Sequence, residues 1–257
     1  MLLFKSNQSK VLALVFLFLF SVDIGLSASL SEEKKVIENV ILAVGSGQWK
    51  TAESLSEKLN EPEVKTFINW AKLREGVGSF EDYQFFLNEY AHWPGLRILR
   101  QKGEAKILKK TEPQKVIAYF KNFPPSTGFG ATSLIDAYEK LNNNKAAFKE
   151  IKRAWSKLSF EKNEFSIFIT KHGSVTLPFV NERSEFLLWN GMTREANRIL
   201  PYLSKDDQAL AKARIALRQQ NYGVDFLIKK VPPDLKSNSG LAYERFLWRV
   251  KKGRSEG

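Results

Sequence analysis

The chain has no cysteine and only two histidines, His92 and His172. A disulfide framework, a thiolate metal site and a thiol nucleophile are therefore excluded. Neither histidine has a ligand-type neighbour at i+3 or i+4, and the two lie far apart in sequence, so no zinc site is expected. No glycine-rich loop ends in Gly-Lys-Ser/Thr, and no serine occupies a Gly-x-Ser-x-Gly elbow. Gly45-Ser46-Gly47 lacks both the spacing and a preceding strand. Strand-like composition is scarce as well. Residues 174–180 are the one stretch rich in β-branched side chains, too short to support a sheet, and are read as a linker.

Long apolar runs are confined to the N-terminus, where Val11 to Phe20 is unbroken. Lys5 and Lys10 precede it, and small residues follow at Gly25, Ser27 and Ala28. An apolar core of about 7–15 residues suits a signal peptide, whereas a spanning helix needs about 20. Residues 1–28 are therefore read as a signal peptide cleaved near Ala28, with export to the periplasm. An uncleaved anchor is the rival, and it is the only membrane attachment expected. The net charge is +12. A basic exported protein meets anionic cell-wall polymer or lipid headgroups rather than nucleic acid.

What remains is helical periodicity. Ile37, Val40, Ile41 and Val44 form one apolar stripe, and Tyr83, Phe86, Leu87 and Tyr90 another. Ala131, Leu134, Ile135 and Tyr138 follow, then Ala147, Ile151, Ala154 and Trp155. Residues 179–252 read as five consecutive helices. Their stripes include Ala196, Ile199, Leu200 and Leu203; Val224, Leu227, Ile228 and Val231; and Tyr243, Phe246, Leu247 and Val250. Ser204 with Asp207 caps one helix, and Ser159 is expected to cap another. Gly103, Gly173 and Pro124-Pro125 are expected to stop theirs. A turn signature recurs: Gly47-Gln48-Trp49-Lys50-Thr51-Ala52 resembles Gly191-Met192-Thr193-Arg194-Glu195-Ala196, and Gly253 begins it again. No stripe can be buried alone, so the expectation is an all-α fold, an α-solenoid or superhelix of degenerate antiparallel helix pairs. Its first part would span 29–173 and its second 174–257.

The phrases FLLWNGMTREANRILPYLS, ALAKARIALRQQNYGV and GLAYERFLWRVKKGR resemble the superhelical, non-catalytic region of soluble lytic murein transglycosylases from Gram-negative bacteria. The resemblance covers nearly the whole chain after residue 28, more closely after Val180 than before Gly78. Leu187-Leu188-Trp189 and Ala242-Tyr243-Glu244-Arg245-Phe246 are its most particular phrases. It implies a periplasmic scaffold acting in cell-wall glycan turnover, with peptidoglycan glycan strands as ligand and a lysozyme-like catalytic domain beyond it. That family cleaves glycan with a glutamate followed by serine. The only Glu-Ser here, Glu53-Ser54, precedes Leu55 inside a helix, without the companion motifs, and is read as a surface pair. No catalytic, cofactor-binding or metal-binding residue is expected. The six tryptophans are read mainly as core, so the sequence singles out no residue for contact with glycan.

Tyr243, Phe246, Leu247 and Val250 would need a following helix to cover them, and the chain is read as truncated before the catalytic domain. A catalytic domain or chain packing on this end is the partner that reading implies. Two rivals remain: a periplasmic helical-repeat adaptor binding a protein partner, and an enzyme acting with a separately encoded catalytic chain.

Overall fold

The computed structural model describes residues 29–253, with side chains from residue 32 onward. The expected signal peptide, and the Arg254-Ser255-Glu256 continuation of the last turn, lie outside the described residues. Every regular element among the described residues is helical, so the fold is all-α. The chain divides into two compact units after Glu75, not at the 173/174 boundary expected from the supposed linker.

The first unit holds α1 (Ser29–Gly45), α2 (Trp49–Ser56) and α3 (Pro62–Arg74), each packed on the other two. Val40, Ala43 and Val44 form the buried stripe of α1, and Ala52 is wholly buried on α2. Between them Gly47 sits at φ 70° while the Gln48 N–H donates to the Ala43 carbonyl at 2.8 Å. That is the left-handed helix ending that glycine permits.

The second unit runs from α4 (Phe80–Glu89) through α5 (Leu96–Glu104), α6 (Pro113–Tyr119), α7 (Gly128–Lys140), α8 (Asn144–Lys157) and α9 (Lys162–Thr176). It continues with α10 (Val180–Trp189), α11 (Thr193–Ile199), α12 (Lys205–Arg218), α13 (Val224–Lys229) and α14 (Ser239–Lys251). Most packing is between consecutive helices, as in α4 on α5, α7 on α8 and α12 on α13, and α14 returns onto α12. The turn signature is more widespread than its glycines suggest. Gly191 at φ 70° is matched by Asn142 at φ 56°, with Met192 and Asn143 donating to Leu187 and Tyr138 carbonyls at 2.8 Å. Five residues on, Ala196 and Ala147 are both buried, like Ala52. Asparagine tolerates this conformation better than other non-glycine residues, so the two turns share a geometry under different letters.

Several boundaries differ from expectation. Residues 174–180 are not a linker. Helix α9 continues to Thr176, and a 3-10 turn, Leu177–Phe179, leads directly into α10. Thr176 donates to the His172 carbonyl at 3.0 Å, and Val175 and Phe179 pack on the central core, which stabilises β-branched residues in a helix. Gly173 is therefore interior. Gly103 stands one residue before the end of α5, close to the expected stop, and has a packing role as well: a Cβ there would lie 2.2 Å from the Tyr119 hydroxyl and 2.9 Å from the Tyr83 Cβ. Helix α6 ends at Tyr119, before Pro124-Pro125. The N-cap of α9 is Glu161, paired with Glu164, and not Ser159.

The Ser159 hydroxyl donates instead to Glu195 at 2.5 Å, as part of the junction at the centre of this unit. Arg183 is fully buried and donates through Nη1 to the Trp155 and Leu158 carbonyls, both at 2.6 Å, at the C-terminal end of α8. Its Nη2 reaches Glu195 at 3.2 Å, and Glu195 also accepts the Phe160 N–H at 3.0 Å. The guanidinium lies 5.0 Å and 5.1 Å from the Trp155 and Phe160 ring centroids. Burial pushes the Arg183 pKa down to about 10, against the pull of Glu195, and leaves it charged at neutral pH. Removing one partner of such a buried pair typically costs about 3–5 kcal/mol, because the other charge and the carbonyls stay desolvated. Arg183→Ala should lower the unfolding free energy by about that much in urea denaturation. Lys72→Ala, which breaks a half-exposed pair with Glu53, should cost less than about 1 kcal/mol.

Candidate functional site

The polar residues singled out by sequence are dispersed among structural roles. Glu53 accepts from Lys72 at 2.6 Å on an exposed face between α2 and α3, and Ser54 is exposed beside it. His92 is exposed in the turn before α5. His172 is buried on α9, 5.1 Å from the Phe168 ring centroid, and its Nε2 has no hydrogen-bond partner among the described residues. Trp70 and Trp155 are core, Trp49, Trp93 and Trp248 are half-buried, and Trp189 is exposed. Among the described residues no three His, Asp or Glu side chains gather to hold a metal ion.

The buried carboxylates and guanidinium groups fasten helix junctions. Glu104 at the end of α5 accepts the Ser126 N–H and hydroxyl, both at 2.8 Å, and the Thr127 N–H at 2.9 Å, with the Thr127 hydroxyl as a fourth donor. Those residues form the N-terminus of α7, where a carboxylate is favoured by the exposed N–H groups. Glu244 of α14 is bound by the Arg218 guanidinium of α12. Arg214, also buried, donates to Glu185 at 2.6 Å and lies against Gly240, where a Cβ would come within 2.2 Å of its Cζ. Tyr83 and Tyr119 have pKa values raised mainly by burial, Tyr83 to about 12, and Tyr119 donates to the Arg100 carbonyl at 2.8 Å. None of these groups faces an open site.

One concave feature of the second unit is a cleft of about 320 Å³ between α7, α9 and the 107–113 segment. Along α7 it is lined by Phe129, Thr132, Ser133, Asp136, Ala137 and Lys140. Ile167 and Glu164 of α9 form the opposite wall, and Ile107, Leu108 and Val116 complete the apolar surface. Phe129, Leu108 and Ile167 are exposed, at 42%, 56% and 61%. The polar groups here are already engaged. Thr132 and Ser133 donate to the Gly128 and Phe129 carbonyls of their own helix, both at 2.9 Å. Asp136 accepts from Lys171 at 2.6 Å, Glu164 accepts the Glu161 N–H at 2.8 Å, and Lys140 donates to the Lys109 carbonyl at 3.2 Å. Such a cleft can bury an apolar ligand between charged ends but offers no activated nucleophile or paired acid and base. Its residues fall off the buried stripes: Phe129 precedes Ala131, and Ile167 lies between Phe165 and Phe168. An apolar residue on the wrong side of a stripe was the available sequence signal.

A second apolar surface lies on α14. This helix docks through Gly240, Leu241 and Glu244, whereas Tyr243, Phe246 and Val250 are exposed at 42%, 61% and 56%. The i, i+3, i+4, i+7 stripe is thus the open face, with the Trp189 ring 5.4 Å from that of Tyr243. No family model, curated protein or solved structure matches the chain.

Leu241→Ala should therefore cost about 2–5 kcal/mol of stability, and Phe246→Ser less than about 0.5 kcal/mol, in parallel urea titrations. The buried His172 gives a pH signature. Burial lowers its pKa, against smaller opposing effects of Glu139 and Asp136 and a reinforcing one of Lys171. The unfolded chain, with His at about 6.5, then binds a proton more readily than the folded one. Stability should fall as pH drops through about 6.5 and stop changing on this account below the folded pKa. His172→Leu should flatten the unfolding free energy between pH 7 and 5.

Proposed function

We propose that this chain is a non-catalytic helical scaffold of the cell envelope that engages peptidoglycan glycan. This is the part played by the superhelical region of the lytic murein transglycosylases it resembles. The observation that carries the reading is where the resembling phrases fall. Glu195 in the first, Arg214 and Arg218 in the second, and Gly240 and Glu244 in the third are residues that fasten helix junctions. Phrases built around junction residues support a scaffold as the element they resemble. The net charge of +12 suits an anionic polymer, and export through residues 1–28 is part of the same proposal. A catalytic domain or chain seated against the open face of α14 is the partner it implies.

A second reading, a helical-repeat adaptor for a protein partner, is favoured by one specific observation. Both open surfaces are apolar and aromatic, and exposed contiguous apolar patches commonly mark protein interfaces.

Purified residues 29–257 should co-sediment with peptidoglycan sacculi, lose that binding as salt rises, and release no anhydromuropeptides. Failure to sediment at low salt sinks the glycan reading and leaves the adaptor. Release of anhydromuropeptides that Glu53→Gln abolishes would overturn the non-catalytic assignment.

A further inference from the structure

We infer that the cleft along α7 is a docking site for an amphipathic helix of a partner protein, lying antiparallel to α7 with its acidic first turn at Lys109 and Lys140. The inference rests on the binding-scaffold part of the proposed function and is independent of glycan.

Three features select this occupant. The first is backbone chemistry. The cleft hydroxyls of Thr132 and Ser133 donate to their own helix, and that of Thr111 accepts the Leu108 N–H at 3.0 Å, so an extended peptide would find few partners for its backbone groups. A helix satisfies its own. The second is length. Phe129 to Lys140 covers twelve residues of α7, about 16 Å from first to last at 1.5 Å per residue, which accommodates about three turns of a partner helix. The exposed apolar side chains Leu108, Phe129 and Ile167 would receive its i, i+4, i+7 positions.

The third feature is charge. Lys109 and Lys140 stand together where α7 ends, joined through the Lys109 carbonyl. Glu164 stands at the other end: a Cβ on Gly128, the first residue of α7, would lie 2.8 Å from its Oε2. Between them Lys171 is shared by Asp136 at 2.6 Å and Glu139 at 2.7 Å, a cluster with one negative charge in excess. The cleft is thus cationic at one end and anionic at the other. Protein helices favour acidic residues in the first turn and basic ones in the last. Such a helix matches both ends only when antiparallel to α7. A fatty acid or other single-headed amphiphile would match the lysines and leave Glu164 facing its tail.

The test uses fluorescence anisotropy with the full chain and two labelled, end-capped peptides of twelve residues. One has two glutamates in the first turn, leucines on one face and two lysines in the last turn; the other has the charges exchanged. The first should bind about tenfold more tightly than the second, the preference that a few surface ion pairs supply. Ile167→Glu, at an exposed position that leaves the fold intact, should abolish binding. Lys109→Glu with Lys140→Glu should erase or invert the preference, with helicity checked by circular dichroism. Equal binding of the two peptides, no binding of either, or binding indifferent to Ile167→Glu would overturn the inference. So would dodecanoate binding that Ile167→Glu abolishes while neither peptide binds. Sacculus binding unchanged by Ile167→Glu would separate this site from the glycan surface, and its loss in the same variant would merge them and overturn the assignment to a protein partner.

Discussion

The second unit depends on the burial of Arg183. A guanidinium removed from water is a large cost unless its donors are met. Here one nitrogen binds two carbonyls at the end of α8 and another binds Glu195, while Trp155 and Phe160 flank the cation. The last carbonyls of a helix have no partner within it and carry partial negative charge, so Arg183 ends α8 from a neighbouring helix. Glu195 in turn holds Ser159 and the Phe160 N–H, which fixes the path into α9. Helices α8, α9, α10 and α11 are thereby tied at one point. The surrounding apolar core, from Trp155 and Phe168 to Leu187 and Ile199, closes around it. The Arg183 Nε has no hydrogen-bond partner among the described residues.

The same device recurs along the unit with different letters. Glu104 holds the start of α7, and Arg218 and Glu244 join α12 to α14. Glu150 holds Arg153, whose Nη2 donates to the Pro125 carbonyl at 2.9 Å. Each helix is short, and isolated helices of this length are marginal in water. Apolar stripes supply the drive to pack, but they slide on one another easily. Directional hydrogen bonds from buried charges set where one helix ends against the next. The chain's acidic and basic residues are therefore divided between a structural set, sequestered at junctions, and a solvated set that carries the net positive charge.

That division decides what the sequence made legible. Stripes such as Ala147, Ile151, Ala154 and Trp155 are buried as their spacing implies, because helical periodicity is local. The Ser204 cap is likewise local, bonding the N–H three residues on. Expectations failed where a residue's partner lies far along the chain. Ser159 has the composition of a cap but binds Glu195, 36 positions away. Residues 174–180 have strand-like letters, yet the central core holds them helical. The stripe on α14 was legible as a stripe, but which face would dock was not, since Leu241 and Glu244 choose their side through Arg218 and its neighbours. The cleft was illegible for the same reason: it is made by three segments that meet only in the folded unit.

The resemblance in sequence and the open surfaces consequently speak to different questions. Leu187, Leu188, Glu195, Arg214, Gly240 and Glu244 lie in the resembling phrases and are all engaged in packing or junction bonds. Residues under such constraint hold an architecture whatever that architecture carries. Recognition must fall to side chains that the fold leaves free. In this unit those include Leu108, Phe129 and Ile167 around the cleft, and Phe246 and Val250 on the last helix. Those two sets have different surroundings. The cleft lies between charges of opposite sign, whereas the α14 stripe is an exposed apolar face beside Trp189. The exposed residues of both surfaces stand apart from the buried charges that set the helix junctions, so a change in either surface need not disturb how the helices are held together.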